Sequence, residues 1–480
     1  MSENGKRRLI GAAAVGLGAL GVGELVAAAR GGSMLDGVGR LLADTAPIAV
    51  VEELVAKSGK HDKEATRYGV AANVVTAAVG IAALPERFRT PAIAAVGAGT
   101  AAVALRSTDR SVAGALGGLT AAAVLRAGLR RPPAGFGAGL LWATAGAGLF
   151  AAAETLVRRT DQRHRDRVAA IGPMGSGTPV PDDGLSNEPG LSPLITKAGR
   201  FYVADVNSRA PRIDPAQWRL SITGKVAHPL RLSLADLADQ AVEFDAVMVC
   251  VHNVPGQGRA GNARWFGVPL ATLFDHAVPD SGATRLITRA VDGYTISLPL
   301  DELRSGELPG YLVIGMNGEP LPPEHGFPAR VFVPGLYGQY TGAKYLAELE
   351  FSDDSHVDYW WKRGWTRETL RVTPQARIDV TATAEPGSGK TTLAGVAWAP
   401  PQGVSLVEIR VGETDWLPVE LGAEIAPAAW RRWRTVLDLP PGTHAISARV
   451  TGRSGQIQSG EPAAPFPVGP SGFHTVTVTV

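Results

Sequence analysis

Residues 247–270 read VMVCVHNVPGQGRAGNARWFGVPL. Val247–Val249 is an apolar run of the kind that forms a buried strand, and Cys250 ends it. The next residues carry Pro255, Gly256 and Gly258, so a turn-rich loop is predicted there. Cys250 is the one cysteine in 480 residues, which rules out an intrachain disulfide. It also rules out a cysteine-ligated iron–sulfur cluster or a Cys-rich zinc site within one chain. A lone cysteine in this setting has two readings: a small buried apolar side chain, or a thiolate acting as metal ligand or nucleophile. A nucleophile needs a base beside it. His252, two residues on, points to the opposite face if the strand continues. The residues themselves leave both readings open.

Around this stretch the chain divides into two chemistries. Its length suits two or three domains. Lys and Arg number 47 against 45 Asp and Glu, and a net charge of +2 argues against a nucleic-acid binder acting through bulk charge. Residues 1–157 are rich in Ala, Gly, Val and Leu and hold one of the ten tryptophans, Trp142. Five apolar runs stand out: Leu9–Ala29 (interrupted by Glu24), Gly69–Leu84, Pro91–Leu105, Ser111–Leu125 and Ala134–Ala153. A spanning helix needs about 20 apolar residues, and Lys or Arg at the flanks can extend a shorter run. A soluble bundle needs a recurring polar face, which Ala71–Leu84 and Ala92–Leu105 lack. Small residues suit close helix packing in lipid. The reading is an N-terminal α-helical membrane bundle of about five helices over 1–157, with Asp44–Lys57 as an interfacial or connecting helix. Lys6-Arg7-Arg8 places the N-terminus in the cytoplasm, and five crossings place the rest outside; Arg158–Arg167 argues the other way. The expectation is a multi-pass protein of the cell membrane with an extracytoplasmic catalytic part.

Residues 158–198 are polar and rich in Gly, Pro, Ser and Asp, a linker by composition. Residues 199–372 mix strands with short helices. Residues 373–480 show alternating patterns at Ala376–Ala382, Val404–Val411, Thr443–Val450 and Thr475–Val480, predicting an all-β sandwich of immunoglobulin-like type. Gly387-Ser388-Gly389-Lys390-Thr391-Thr392 imitates the end of a phosphate-binding loop, but Ala384 stands where the first glycine belongs. The succeeding residues, LAGVAWAPP, end in two prolines and cannot open a helix, so a turn between two strands is predicted instead.

The order of several further motifs resembles the sulfite oxidase family of molybdopterin enzymes. Cys250-x-x-Asn253 precedes Gly261-Asn-Ala-Arg-Trp265-x-Gly-Val-Pro-Leu270, then Asp292-Gly293-Tyr294 and Met316-Asn-Gly-Glu-Pro-Leu321. His325-Gly-Phe-Pro-Ala-Arg330, Val333-Pro-Gly335, and Gly338-x-x-x-Gly342-Ala343-Lys344 come next, and Trp398, Trp416 and Trp430-Arg-Arg-Trp433 extend the likeness over 199–480. The resemblance implies an α+β molybdopterin domain over 199–372 and a sandwich over 373–480 that in the family often mediates dimer contacts. It implies molybdenum held by molybdopterin, with Cys250 as the protein thiolate and the catalytic metal ligand; a soft ligand suits such a centre. It assigns His325, Arg330 and Lys344, with the backbone of Gly342 and Ala343, to the cofactor phosphate, for which Arg is well shaped. Tyr202 and Thr288 are further cofactor contacts, and Asn253 and Trp265 are candidates for the substrate pocket, Trp265 being equally well a core residue.

The departures bear on the substrate. Sulfite oxidisers carry two arginines directly after Cys-x-x-Asn, where this chain has Val254 and Pro255. An oxyanion substrate needs converging cations, with Arg259, Arg264 and Arg363 the candidates to replace them. The expected reaction is two-electron oxygen-atom transfer on a small substrate, and the missing arginine pair argues against sulfite. None of the nine histidines falls within the five apolar runs, so no haem is expected in the membrane part and no iron–sulfur cluster anywhere. Electrons then need a separate partner, a haem membrane protein or a soluble carrier, and the resemblance leaves a homodimer as one possible assembly. The alternative is a non-catalytic membrane-tethered binding module that retains the fold.

Overall fold

A computed structural model describes residues 3–30, 32–47, 50, 53, 62–105, 111–130, 136–185, 188–368, 370–383 and 390–480. The chain divides into two compact units, Met1–Arg167 with Asp205–Arg212, and Val168–Ala204 with Ile213–Val480.

The first unit is helical. Its helices are α1 (Glu3–Ala29), α2 (Met34–Thr45), α3 (Asp62–Ala83), α4 (Glu86–Leu105), α5 (Ser111–Arg130) and α6 (Phe136–Ala169). Among the described residues each of the five apolar runs lies almost wholly in a helix, but two helices are long and apolar enough to cross a membrane, over Leu9–Ala29 and Ala138–Ala169; Tyr68–Ala83 is shorter. The expected count of five spans therefore exceeds what helix length and hydropathy support. Most of the helix expected over 44–57 lies outside the described residues, and its first two positions are the end of α2.

Small residues set how closely these helices approach. A Cβ placed on Gly23 of α1 would stand 2.7 Å from the Gly117 carbonyl oxygen of α5, and one on Gly21 would overlap that of Gly146 in α6. Glycine is required at both, since backbone meets backbone there. Glu24, the acid interrupting the first apolar run, is buried and caps α2: its carboxylate accepts the Ser33 hydroxyl and the backbone N–H of Met34 at 2.7 Å. An anion at a helix N-terminus satisfies orphan amides and opposes the helix dipole favourably. Residues 205–212 join this unit through charge. Arg209 meets Asp36 at 3.1 Å and both Glu154 and Asp161 at 3.0 Å, while Arg212 meets Asp161 at 2.7 Å.

The second unit is built from four sheets. One has the strand order β2 (Leu230–Leu232), β1 (Leu220–Gly224), β10 (Leu346–Ser352), β5 (Arg285–Ala290), β6 (Thr295–Pro299), with β1 and β10 parallel. Another joins β3 (Val242–Val249), β4 (Ala260–Pro269), β7 (Tyr311–Met316) and β8 (Glu319–Pro320), with β9 (Arg330–Phe332) also paired to β7. Short helices α7 (Leu234–Ala238), α8 (Leu270–Ala277) and α9 (Leu300–Arg304) connect them. One core holds them together, with Trp265, Phe327, Phe332 and Phe351 among its largest fully buried members.

The last hundred residues form two four-stranded sheets that share an apolar core. One runs β11 (Gln375–Thr383), β12 (Lys390–Trp398), β16 (Arg431–Asp438), β15 (Glu420–Leu421). The other runs β14 (Leu417–Pro418), β13 (Val404–Val411), β17 (Thr443–Gly452), β18 (His474–Thr479). The four alternating segments are strands β11, β13, β17 and β18. Alternation misses β12 because it lies between two neighbours and buries both faces over Leu393–Trp398. The chain after the glycine-rich imitation of a phosphate loop is this strand and not a helix; residues 384–389 themselves lie outside the described ones.

The stretch 158–198 is not a bare tether. Helix α6 continues through Ala169, and beyond it polar side chains are engaged by the sheets. Asp183 is buried and accepts from Arg432 Nε at 2.6 Å, Glu188 meets Arg434 at 2.8 Å, and the Leu194 carbonyl accepts from Trp430 Nε1 at 3.0 Å. Composition reads such residues as solvated because their partners lie some 240 positions away.

Candidate functional site

Strand β3 delivers Cys250 to its C-terminal end, buried, with its Sγ 3.9 Å from His252 Nδ1. A loop returns from there to β4. Beside it runs the segment Ala198–Ala204, which carries Phe201 and Tyr202. Phe201 is buried against His325, with ring centroids 5.5 Å apart, and against Trp265 at 5.8 Å.

The Tyr202 hydroxyl is buried and has no hydrogen-bond partner among the described residues. Burial first, and the charge of Cys250 second, hold its ionisation well above the usual phenol range, with Arg330 pulling the other way. That oxygen thus lies in the field of both the thiol and the guanidinium. Gly338 leaves room for it, since a Cβ there would stand 2.9 Å from the Tyr202 oxygen, and the Gly338 N–H donates to the Val249 carbonyl at 2.8 Å. Buried hydroxyls without partners are rare in folded proteins and mark positions where a ligand or water completes the bonding.

Arg330, at the start of β9, is buried and donates from Nη1 to the His325 carbonyl at 3.2 Å. Lys344 donates to the carbonyls of Ala204 at 2.9 Å and Glu324 at 3.0 Å. Gly326, with φ of 114°, separates the two cations; a Cβ there would touch the stems of both. His325 Nε2 lies 3.1 Å from the Ala198 carbonyl. Burial lowers its pKa to about 4. The ring is therefore neutral at physiological pH and bears its proton on Nε2, the tautomer that the carbonyl requires. His325 and Lys344 thus grip the two ends of the Tyr202 segment.

The remaining candidates divide. Thr288 is buried and donates to Ile296 O at 3.1 Å while accepting the Ala343 N–H at 2.9 Å, so that amide is already engaged. Gly342, with φ of 116°, packs against Val331. Trp265 is fully buried between Phe201 and Phe332 and donates to Ala246 O at 3.0 Å, the surroundings of a core residue. Asn253 is 1% exposed, and its side chain serves the loop rather than a pocket: Oδ1 accepts the Arg259 N–H at 2.7 Å, and Nδ2 donates to Gln375 at 3.2 Å. Arg264, a candidate to replace the missing arginine pair, is held by Asp245 at 2.8 Å. Sequence reading missed Gln375 because it lies 122 residues from Asn253. It missed Gly338 and Tyr337 as neighbours of the thiol, although both fall between the motif residues Val333 and Lys344.

The family model described as the oxidoreductase molybdopterin binding domain matches residues 207–360. The uncharacterized oxidoreductase YuiH of Bacillus subtilis (strain 168) is 34% identical over 152 residues, which cover 32% of this chain and 74% of that protein. Mitochondrial sulfite oxidase of Mus musculus is 28% identical over 278 residues, or 48% of this chain and 50% of that one. The chain therefore spans half the length of that sulfite oxidase. Among solved structures, the sulfane dehydrogenase SoxCD from Paracoccus pantotrophus shares the fold, with a TM-score of 0.52 at 20% identity over 65% of this chain and 88% of that one. The chain belongs to the sulfite oxidase family of molybdopterin-dependent oxidoreductases.

The side chains suit that cofactor. A single thiol is the right protein donor for a soft metal. The unpartnered Tyr202 hydroxyl, with Arg330 in whose field it lies, matches the polar edge and terminal phosphate of a pterin.

Proposed function

We propose that this chain is a membrane-anchored enzyme that performs two-electron oxygen-atom transfer on a small substrate other than sulfite. The observation that carries the reading is the buried, unpartnered Tyr202 hydroxyl, which lies in the field of both Cys250 and Arg330. Cys250 would hold molybdenum. Arg330, Lys344, His325 and Tyr202 would hold the pterin and its phosphate, while Thr288 and the Ala343 N–H, bonded to each other, would brace the segment that carries Lys344. When bound, the cofactor supplies a two-electron redox change coupled to oxygen-atom transfer. The chain's own groups bind and orient. Arg330 and Lys344 bring positive charge to an anionic group, and neutral His325 fixes the Tyr202 segment through Ala198. Burial of Cys250 and Tyr202 keeps bulk water from the thiol.

Val254 and Pro255 in place of two arginines, and the engagement of Arg264 by Asp245, support a substrate other than the sulfite anion. The two long apolar helices support anchoring in the cell membrane. A multi-pass arrangement, with the catalytic unit outside the cytoplasm, accords with the positive flank Lys6-Arg7-Arg8. The paired C-terminal sheets are read as an immunoglobulin-like sandwich with a dimer role. A separate redox protein, a haem membrane protein or a soluble carrier, would exchange the electrons.

Metal and pterin analysis of the purified full chain tests the reading, with Cys250→Ser alongside. Molybdenum bound by the unaltered chain and lost from C250S is the expected result. An unaltered chain that carries no molybdenum after expression in cofactor-competent cells overturns it. A dye-coupled screen of sulfite, sulfoxides and N-oxides then names the substrate.

A further inference from the structure

The loop between β3 and β4 has little to hold it by itself. It contains Pro255 and the exposed glycines Gly256 and Gly258. Its neck is closed by the Cys250 N–H donating to Arg259 O at 2.9 Å and the Asn253 N–H donating to Cys250 O at 2.9 Å. Asn253 Oδ1 ties the far side by accepting the Arg259 N–H at 2.7 Å. The orientation of Cys250 therefore depends on the orientation of the Asn253 amide.

That amide is fixed from outside the cofactor fold. Gln375, the first residue of β11 and 2% exposed, accepts from Asn253 Nδ2 at 3.2 Å. Its own Nε2 donates back to the Asn253 carbonyl at 3.4 Å. Arg377, two residues along the same strand, donates to Gln257 O at 3.2 Å at the loop's tip. Further support for the thiol comes from the same direction: the hydroxyls of Thr373 and Tyr337 meet at 3.0 Å, and Tyr337 lies in the field of Cys250.

We propose that Gln375 is a positioning residue for Cys250: the C-terminal sheets, through Gln375 and Asn253, set the loop that presents the thiolate to the metal. The inference rests on Cys250 being the ligand. Its physical basis is that both partners are buried, so removal of the Gln375 amide leaves Asn253 with an unsatisfied donor. The loop relieves that cost by moving.

The test uses the full-length holoenzyme and Gln375→Met, which keeps the shape and removes both polar atoms. Thr391→Val, at a buried position of β12 away from the loop, is the control. Amide exchange over residues 250–259 is expected to quicken about 10-fold in Q375M and to stay unchanged in T391V. The Mo(V) electron paramagnetic resonance spectrum, which reports thiolate geometry, is expected to shift in Q375M alone. Exchange that quickens only within the C-terminal sheets, or equally in both variants, assigns Gln375 a purely structural role and overturns the proposal. An unaltered spectrum overturns it whatever the exchange shows. If the unaltered chain binds no molybdenum, the functional reading fails separately, and the exchange of residues 250–259 alone decides whether Gln375 holds the loop.

Discussion

The two units bury apolar surface by opposite means. In the helical unit the buried apolar cluster is Ala, Val, Leu and Ile with Met34 and no aromatic ring, and backbones approach at Gly21–Gly146 and Gly23–Gly117. In the second unit the largest buried side chains are Trp265, Trp398, Trp433, Tyr337 and Tyr345, and sheets are held apart by ring volume. The first design is limited by what can be added and the second by what can be removed. The site sits in the second kind of core, where bulky rings position the Tyr202 segment.

The largest effect expected from that contrast is at Trp265. Trp265→Ala empties a fully buried ring site and removes the bond to Ala246, at a cost of roughly 3–5 kcal/mol. Denaturant unfolding of the second unit measures it. A variant of near-normal stability with a raised KM would return Trp265 to the substrate pocket and weaken the contrast.

Next is His325, the titratable group of that core. Its folded pKa is about 4, against 6.5 for the free imidazole, because burial disfavours the cation. Between those values the unfolded chain binds the extra proton. The stability contributed by the neutral ring is complete above pH 6.5 and falls as the pH approaches 4, by roughly 3 kcal/mol in all. His356 and His474 are lowered too, so the informative quantity is the difference from His325→Gln. That variant should lose less stability between pH 6.5 and 4; parallel curves would place the proton elsewhere.

The helical unit should respond to addition. Gly21→Val pushes a branched side chain into the Gly146 carbonyl, at roughly 1–3 kcal/mol. Gly80→Val, where nothing lies within 4 Å of the added Cβ, should be tolerated. Unfolding of the full chain in micelles, followed by loss of helical circular dichroism, compares them. Equal behaviour would mean that the α1–α6 approach is looser than the backbone contact implies.

The same contrast explains what could be read from the sequence. Strand ends, the five helical runs and the Cys250 loop were legible because each is carried by neighbours in the chain: β-branched runs, uncharged runs, and Pro and Gly in close order. The candidates Cys250, His325, Arg330 and Lys344 come from ordered motifs. The bonds that orient them were not legible. His325 and Lys344 act on backbone carbonyls of residues 198 and 204, which leave no trace in residue type. Asp183 looked solvated until Arg432 met it 249 positions later. Asn253 and Trp265 were recognised as important, but whether a buried polar or aromatic group faces a ligand or its own fold is decided by partners such as Gln375 and Ala246.

Glu24 gives the smallest effect and the sharpest control on that lesson, because an acid within an apolar run invites a transport role, whereas its bonds describe a helix cap. Its carboxylate accepts from Met34 N at 2.7 Å and Leu35 N at 3.4 Å, the first amides of α2. Glu24→Gln keeps an acceptor and removes the charge, so the loss is that of a weakened cap and dipole partner, about 1 kcal/mol. Exchange of the first α2 amides should quicken about 5-fold, while metal content stays at the level of the unaltered chain. Loss of molybdenum or of electron transfer in E24Q, with α2 exchange unchanged, would instead make this carboxylate part of the redox path and bring the helical unit into the chemistry.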